Sequence, residues 1–327
     1  MKVLVTGSAG HLGEALVRTL KNTSHEILGT DLLHSEFTDK TGTISDRAHV
    51  KLCMKGVDAV IHTATLHKPH IATHSRQEFI DTNITGTLNL LEEAAAAGVK
   101  SFVFTSSTSV FGNALLPASG APAVWVTEDI VPVPKNIYGI TKIAAENLCE
   151  LFYRKNKLPC IVLRTSRFFP EEDDSKKIRQ AFNDQNAKAN EFLNRRIEIE
   201  DVVSAHLQAM EKAAGIGFGK YIISAATPFK QGDLIELRTH APSVVKRLFP
   251  DYEEEYNRRG WKMFPGIDRV YINNKARNEL GWAPQYNFKR ILASLIAGED
   301  PRSPLCRVIG SKGYHAEKFS QGPYPVE

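Results

Sequence analysis

The segment "TGSAGHLG", residues 6–13, sets Gly7, Gly10 and Gly13 at three-residue steps. Before it, "KVLV" (residues 2–5) is a short, valine-rich apolar run. After it, Leu12, Leu16, Val17 and Leu20 recur on a helical period, and "HEILGTD" returns to strand character. The order is strand, glycine turn, helix, strand. The three glycines serve different purposes. One permits an unusual backbone angle, one removes a side chain where a pyrophosphate approaches, and one lets the helix lie close to the sheet. The helix start offers free N–H groups and the positive end of its dipole to phosphates. Asp31 lies 18 residues beyond Gly13, at the end of the second strand. A carboxylate there accepts bonds from ribose hydroxyls and repels a ribose phosphate, so the expected cofactor is NAD rather than NADP.

Further along, "VDAVIHTA" (57–64), "SFVFTSS" (101–107) and "LPCIVLRTS" (158–166) read as buried strands. "FIDTNITGTLNLLEEAAAAG" (79–98) reads as one long helix ending at glycine, and "ITKIAAENLCELFYRKN" (140–156) as another. Strands alternating with helices predict an α/β fold, a Rossmann-type parallel sheet covered by helices on both faces. Ligands of such sheets sit beyond the carboxyl ends of the strands. Gly7, Asp31, His62, Ser107 and Arg164 all fall near such ends. Asn83, inside the long helix, is expected to bridge backbone groups and steady the neighbouring helix. His67, His70 and His74 cluster in "LHKPHIATHSR", but Pro69 interrupts them and no metalloprotease glutamate accompanies them. A polar loop is the expected reading, with no metal.

The chain has 327 residues, 42% of them hydrophobic and 24% charged, enough for a large core and a smaller second lobe. A formal net charge of +4 without a dense Lys/Arg block argues against a nucleic-acid partner. The four cysteines show no ligand spacing, which suggests a reducing compartment. "MKVLVTG" has no signal-peptide pattern and no segment reaches membrane-span length. A cytoplasmic, membrane-free protein is therefore expected.

The chemistry is concentrated in "YGITK", residues 138–142. A secondary alcohol is oxidised readily only if a base takes its proton as the hydride leaves. Free tyrosine, with a pKa of about 10, is a poor base at neutral pH. A lysine one helical turn away supplies a charge that favours the phenolate. A serine from another strand end holds the same substrate oxygen. Tyr138, Lys142 and Ser107 are the expected catalytic group, with Thr108 and Ser106 as rivals of Ser107.

These motifs together resemble the extended short-chain dehydrogenase/reductase superfamily, in its NAD-dependent epimerase/dehydratase branch. "TGSAGHLG", "DAVIHTA", "NITGTLNLLEEA", "FTSSTSVFG" and "YGITK" carry the likeness, and "RRIEIEDVVSAH" and "NNKARNELGWAP" extend it to about residue 297. The resemblance implies an NAD-binding domain over 1–170. It implies a substrate-binding lobe over 171–297, with some segments returning to the first domain. Residues 298–327 are an irregular tail. It also implies Asp46 near the adenine. The expected cofactor set is Gly7, Gly10, His11, Leu12, Gly13, Asp31, Asp46, Ala64, Asn83, Tyr138 and Lys142. A homodimer through helices around 76–97 and 141–155 follows from the family's habit.

Two features depart from nucleotide-sugar members. "RTSR" puts Arg167 where an asparagine is usual, and a polar helical segment replaces the glycine-rich stretch before "RRIEIED". Thr108 and Ser109 stand where sugar dehydratases carry an acidic pair. Thr108, Arg167, Arg195 and Arg196 are the substrate-binding candidates; the arginines either grip an anionic substrate or pair within the protein. The run Glu171–Glu172–Asp173–Asp174 reads as the solvated start of a helix. Trp261 and Trp282 read as core of the small lobe. The expected function is NAD-dependent epimerisation of a sugar or nucleotide sugar by transient oxidation. The alternatives are a dehydrogenase or reductase of a smaller sugar, uronate or ketone, and, more distantly, a non-catalytic NAD-binding regulator.

Overall fold

The computed structural model describes residues 1–313 and Phe319. The first half alternates as the sequence predicts. Strand β1 (Lys2–Thr6) leads through the glycine turn to helix α1 (His11–Leu20), then β2 (Glu26–Asp31) and the short β3 (Lys40–Thr41). Helix α2 (Arg47–Cys53) precedes β4 (Ala59–His62). Helices α3 (Arg76–Ile80) and α4 (Gly86–Ala97) precede β5 (Ser101–Ser107), and β6 (Val124–Val126) lies apart. Helix α5 (Ile137–Asn156) leads into β7 (Cys160–Thr165). The expected long helix is α3 and α4 joined by a π-helical turn, Asp81–Thr85. The wider turn rotates Asn83 off the regular helical face, a device that recurs at functional sites.

Beyond β7 come α6 (Lys176–Ala181), α7 (Asp184–Glu191), α8 (Ile199–Ile216) and β8 (Phe218–Ile223). α8 and β8 continue the alternation of helix and strand, and β8 pairs with β7 along its length. The seven-stranded sheet runs β3-β2-β1-β4-β5-β7-β8, all parallel, with its reversal of order between β1 and β4. The remaining elements are α9 (Leu234–Leu248), α10 (Tyr252–Arg258), β9 (Arg269–Tyr271), α11 (Asn274–Leu280), α12 (Phe288–Ile296) and α13 (Pro304–Ile309). β9 pairs in parallel with β6.

Successive strand residues face opposite layers. Val3, Val5, Ile61, Val103, Ile161 and Leu163 pack with α1 and α8. Leu4, Val60, Phe102, Phe104 and Val162 pack with α2, α4 and α5. A separate cluster around Leu237, Val244, Tyr256 and Phe288 forms the core of the second lobe. Trp261 packs against that cluster, but Trp282 does not. Trp282 is buried in the layer beneath the sheet, and its indole N–H reaches the Asp201 carbonyl at 3.1 Å and Ser204 Oγ at 3.0 Å. The Asp201 carboxylate accepts from the backbone N–H groups of Gln285 and Tyr286 at 2.7 and 2.8 Å. This knot at the start of α8 draws the 280s back to the first domain.

Helix α13 packs there too, with Ile309 in the same layer. Lys312 pairs with Glu14, and Ser311 donates to Glu171. The rest of the expected tail, 314–318 and 320–327, lies outside the described residues.

Candidate active site

Gly7 adopts φ +73°, and its amide donates to the Thr30 carbonyl at 2.8 Å. A Cβ at Gly7 would stand 2.8 Å from the Ala64 amide, so the first turn and the exit of β4 touch back to back. A Cβ at Gly13 would lie 1.8 Å from the Gly7 carbonyl oxygen. Gly10 is exposed and would meet only that oxygen, at 3.2 Å, so its outer side is open. The loop therefore leaves a cradle at the start of α1 that a side chain would narrow. This fits the pyrophosphate of a dinucleotide. Gly13→Ala is expected to lower stability by about 1–3 kcal/mol, the usual range for overpacking. An unchanged melting temperature would contradict this packing.

Asp31 closes the end of β2, accepting from Ala9 N–H at 3.0 Å and Leu33 N–H at 2.9 Å. A carboxylate has about four lone-pair sites, so capacity for two hydroxyls remains. Asp46 is the N-cap of α2, accepting from Ala48 N–H at 2.9 Å. His11 stacks on Phe168, with ring centroids 6.1 Å apart. Burial lowers its pKa, so the ring is neutral. Asn83 uses both ends of its amide. Its oxygen accepts from Thr65 Oγ1 and Leu66 N–H, each at 2.8 Å, and its nitrogen donates to the Leu66 carbonyl and Thr141 Oγ1, each at 3.0 Å. It ties the loop after β4 to the helix bearing Tyr138 and Lys142.

Asn136 caps α5, accepting from Gly139 N–H at 3.1 Å, and so sets Tyr138 in the first turn. Ser107 comes from the end of β5, beside Tyr138, whose phenol pKa it lowers. Both line a cleft of about 250 Å³, with Thr108, His67, Arg167 and Arg195 among its walls. Burial pushes the Tyr138 phenol up to about 12, opposed by Ser107. The lowering expected from Lys142 does not counter it. Lys142 is itself buried, its Nζ 4.2 Å from the Phe104 ring centroid, and burial holds its pKa down to about 7 against the pull of Glu146.

That depression sets a pH dependence. An unfolded lysine titrates near 10.4, so between about pH 7 and 10 the unfolded chain carries the extra proton. Stability from this group rises with pH through that window and is lost as pH falls to 7. In urea unfolding of the cofactor-free protein at pH 7 and pH 9, Lys142→Met is expected to remove this rise; an unaltered pH slope would refute the burial of the charge.

Two strand-end residues serve the interior instead. His62 is buried between Thr6 Oγ1 at 2.8 Å and Thr87 Oγ1 at 3.0 Å, and burial drives its pKa well down. Arg164 is buried against Glu146 at 2.7 Å. Neither faces the cleft, because inward strand positions point into the packed layers.

The arginine candidates lie together, with carboxylates between them. Arg167 stands 3.2 Å from both Asp173 and Asp174. Arg195 stands 3.1 Å from Asp173 and 2.7 Å from Glu191. Arg196 is buried against Glu191 at 3.0 Å and donates to the Phe169 carbonyl. Lys68, from the loop after β4, pairs with Asp174 at 2.5 Å. The acidic run is thus not a solvated helix start. Asp173 is buried, α6 begins only at Lys176, and the surrounding cations hold Asp174 and Glu191 ionised, Glu191 at about 2 despite its burial.

One of the three clustered histidines reaches the cleft, and Arg269, which the sequence did not single out, joins it. His67 places its ring 6.1 Å from that of Tyr138, and burial first, then His70 and Lys142, lower its pKa to about 3. It faces the cleft as a neutral imidazole. Arg269 reaches the same cleft from β9. Among the described residues, no group of three His, Cys, Asp or Glu side chains forms a metal centre.

The glycine turn, the parallel sheet and the Ser–Tyr–Lys group coincide with a family model, NAD dependent epimerase/dehydratase, over residues 3–223. The chain belongs to that family. It is an enzyme of that family. Among relatives, a UDP-glucose 4-epimerase of Rhizobium leguminosarum bv. trifolii is 29% identical, over 89% of this chain and 95% of the relative. A 3-beta-hydroxysteroid dehydrogenase of Mycolicibacterium neoaurum is 30% identical, over 90% of each. A solved short-chain dehydrogenase/reductase superfamily protein from Agrobacterium tumefaciens, with bound NAD, shares the fold at TM-score 0.65. It is 24% identical, over 91% of this chain and 96% of that one. The relatives thus include an epimerase and a dehydrogenase.

Proposed function

We propose that the chain binds NAD across the strand ends and acts on a secondary alcohol of a sugar-like substrate, epimerising it through transient oxidation. The observation that carries this reading is that Ser107 and Tyr138, from a strand end and a helix start, line one cleft, with Lys142 one helical turn deeper. Gly7, Gly10 and Gly13, with the backbone of His11 and Leu12, hold the pyrophosphate at the start of α1. Asp31 takes the ribose hydroxyls, Asp46 lies toward the adenine, and Ala64 and the loop held by Asn83 line the path between. NAD, when bound, supplies a hydride acceptor. Tyr138 takes the proton of the substrate hydroxyl and returns it, while Ser107 donates to the same oxygen. Lys142 binds the nearby ribose and, protonated, favours the phenolate. The lobe beyond residue 171 covers the substrate, with Thr108 beside the reacting carbon. Exposed Ile80, Ile140 and Leu151 provide apolar contacts for a homodimer through α3–α4 and α5. Among the described residues, no helix is long and apolar enough to cross a membrane.

A second reading is net dehydrogenation of a smaller sugar, uronate or ketone. The cleft volume of about 250 Å³ favours it, since pockets for drug-sized ligands span roughly 300–1,000 Å³. The test is incubation with NAD and a panel of free sugars, uronates and nucleotide sugars, followed by absorbance and mass analysis. A new isomer at constant NADH supports epimerisation, and NADH accumulating with an oxidised product supports the second reading. Neither outcome with any substrate would sink the alcohol chemistry.

A further inference from the structure

We infer that Arg269 is the specificity-determining residue of the cleft and anchors an oxyanion group, carboxylate or monophosphate, of a small hydroxylated substrate. The inference rests on the tyrosine chemistry proposed above and adds the substrate's charge and size.

Five cations line the cleft: Lys68, Lys135, Arg167, Arg195 and Arg269. Three are engaged by carboxylates of the chain itself, Lys68 by Asp174, Arg167 by Asp173 and Asp174, and Arg195 by Asp173 and Glu191. An incoming anion at those positions would have to displace a carboxylate that is already ion-paired and largely buried, so that wall is a poor anion site. Lys135 is exposed, and its charge is dispersed in water. Arg269 differs from all four in combining partial burial with the absence, among the described residues, of any carboxylate within ion-pair distance. A guanidinium with no carboxylate partner keeps its charge for an anion that reaches the cleft.

Its backbone is well held. The Arg269 carbonyl accepts from Asn194 Nδ2 at 2.9 Å, its strand pairs with Val124, and Tyr271 N–H donates to the Asn194 carbonyl at 3.0 Å. The guanidinium is therefore carried on a fixed strand, where its planar fork suits a carboxylate or phosphate. Tyr138 and Arg269 line one cleft of about 250 Å³. A molecule spanning both carries its oxidisable hydroxyl and its anionic group within the dimensions of a single monosaccharide-sized body.

The test is calorimetric titration of the NAD-loaded protein with glucuronate, glucose 6-phosphate and glucose, and with inorganic phosphate and acetate. NAD binding is measured first, and Tyr138→Phe separately reports on turnover, so failure of the underlying chemistry is seen apart from failure of this assignment. At least tenfold tighter binding of an oxyanion than of glucose is expected. Glucuronate against glucose 6-phosphate distinguishes carboxylate from phosphate. Arg269→Gln is expected to bring the ratio to within twofold of unity, Arg269→Lys to keep part of it, and Lys135→Gln to keep it whole. Equal binding of charged and neutral ligands, or a preference that survives Arg269→Gln, would overturn the assignment.

Discussion

Tyr138→Phe is expected to lower kcat by about 10³-fold while leaving NAD affinity within a few-fold of the parent. The magnitude lies within the roughly 10²–10⁴-fold range of a positioned acid–base group. The change removes one oxygen from a buried ring and leaves its packing intact, so the loss belongs to proton transfer rather than to folding. The phenol sits at about 12 in the cofactor-free form because burial outweighs the effect of Ser107. The rate is therefore expected to rise with pH as Tyr138 ionises in the loaded enzyme. Single-turnover hydride transfer, read as NADH absorbance, measures both effects. An unchanged rate in Tyr138→Phe would refute the role of this tyrosine as the base.

The second large effect is on stability. Glu146 lies two helical turns beyond Tyr138 on the inner face of α5. It accepts from Ser106 Oγ at 2.6 Å and meets Arg164 through two nitrogens, at 2.7 and 3.1 Å. Both partners are almost wholly buried. Removing one member strands the other charge, which typically costs about 3–5 kcal/mol. Glu146→Ala is expected to lose that much in denaturant unfolding. The Phe111 ring, 4.9 Å from the Arg164 guanidinium carbon, compensates only in part. The double variant Glu146→Leu/Arg164→Met is expected to recover most of the loss, since an apolar pair of similar volume leaves no unpaired charge. A single variant as stable as the parent would show that water or another group reaches Arg164.

Much of the fold was legible because its signals are local. The glycine steps before α1 and the apolar runs of β1, β4, β5 and β7 act through neighbouring backbone. The spacing of Tyr138 and Lys142 likewise puts them on one face of α5 wherever that helix packs. The misreadings share another cause. Trp282 reads as a lobe residue by its position in the chain, yet Asp201 and Ser204, some 80 residues earlier, capture its indole. The acidic run 171–174 reads as solvated because nothing near it in sequence except Arg167 announces its partners. Arg269 carries no local pattern, and among the three clustered histidines only arrival at the cleft singles out His67.

The sequence alone determined the order of strands and helices, the glycine turn before α1 and the spacing of Tyr138 and Lys142, because each depends on backbone geometry over a few residues. Only the tertiary structure decided which charges are cancelled and which remain for a substrate. Lys68 meets Asp174 across 106 residues, and Arg195 meets Asp173 across 22. Such pairings follow from how the lobe folds back over the sheet, and with them the burial that raises Tyr138, lowers Lys142 and leaves Arg269 facing the cleft.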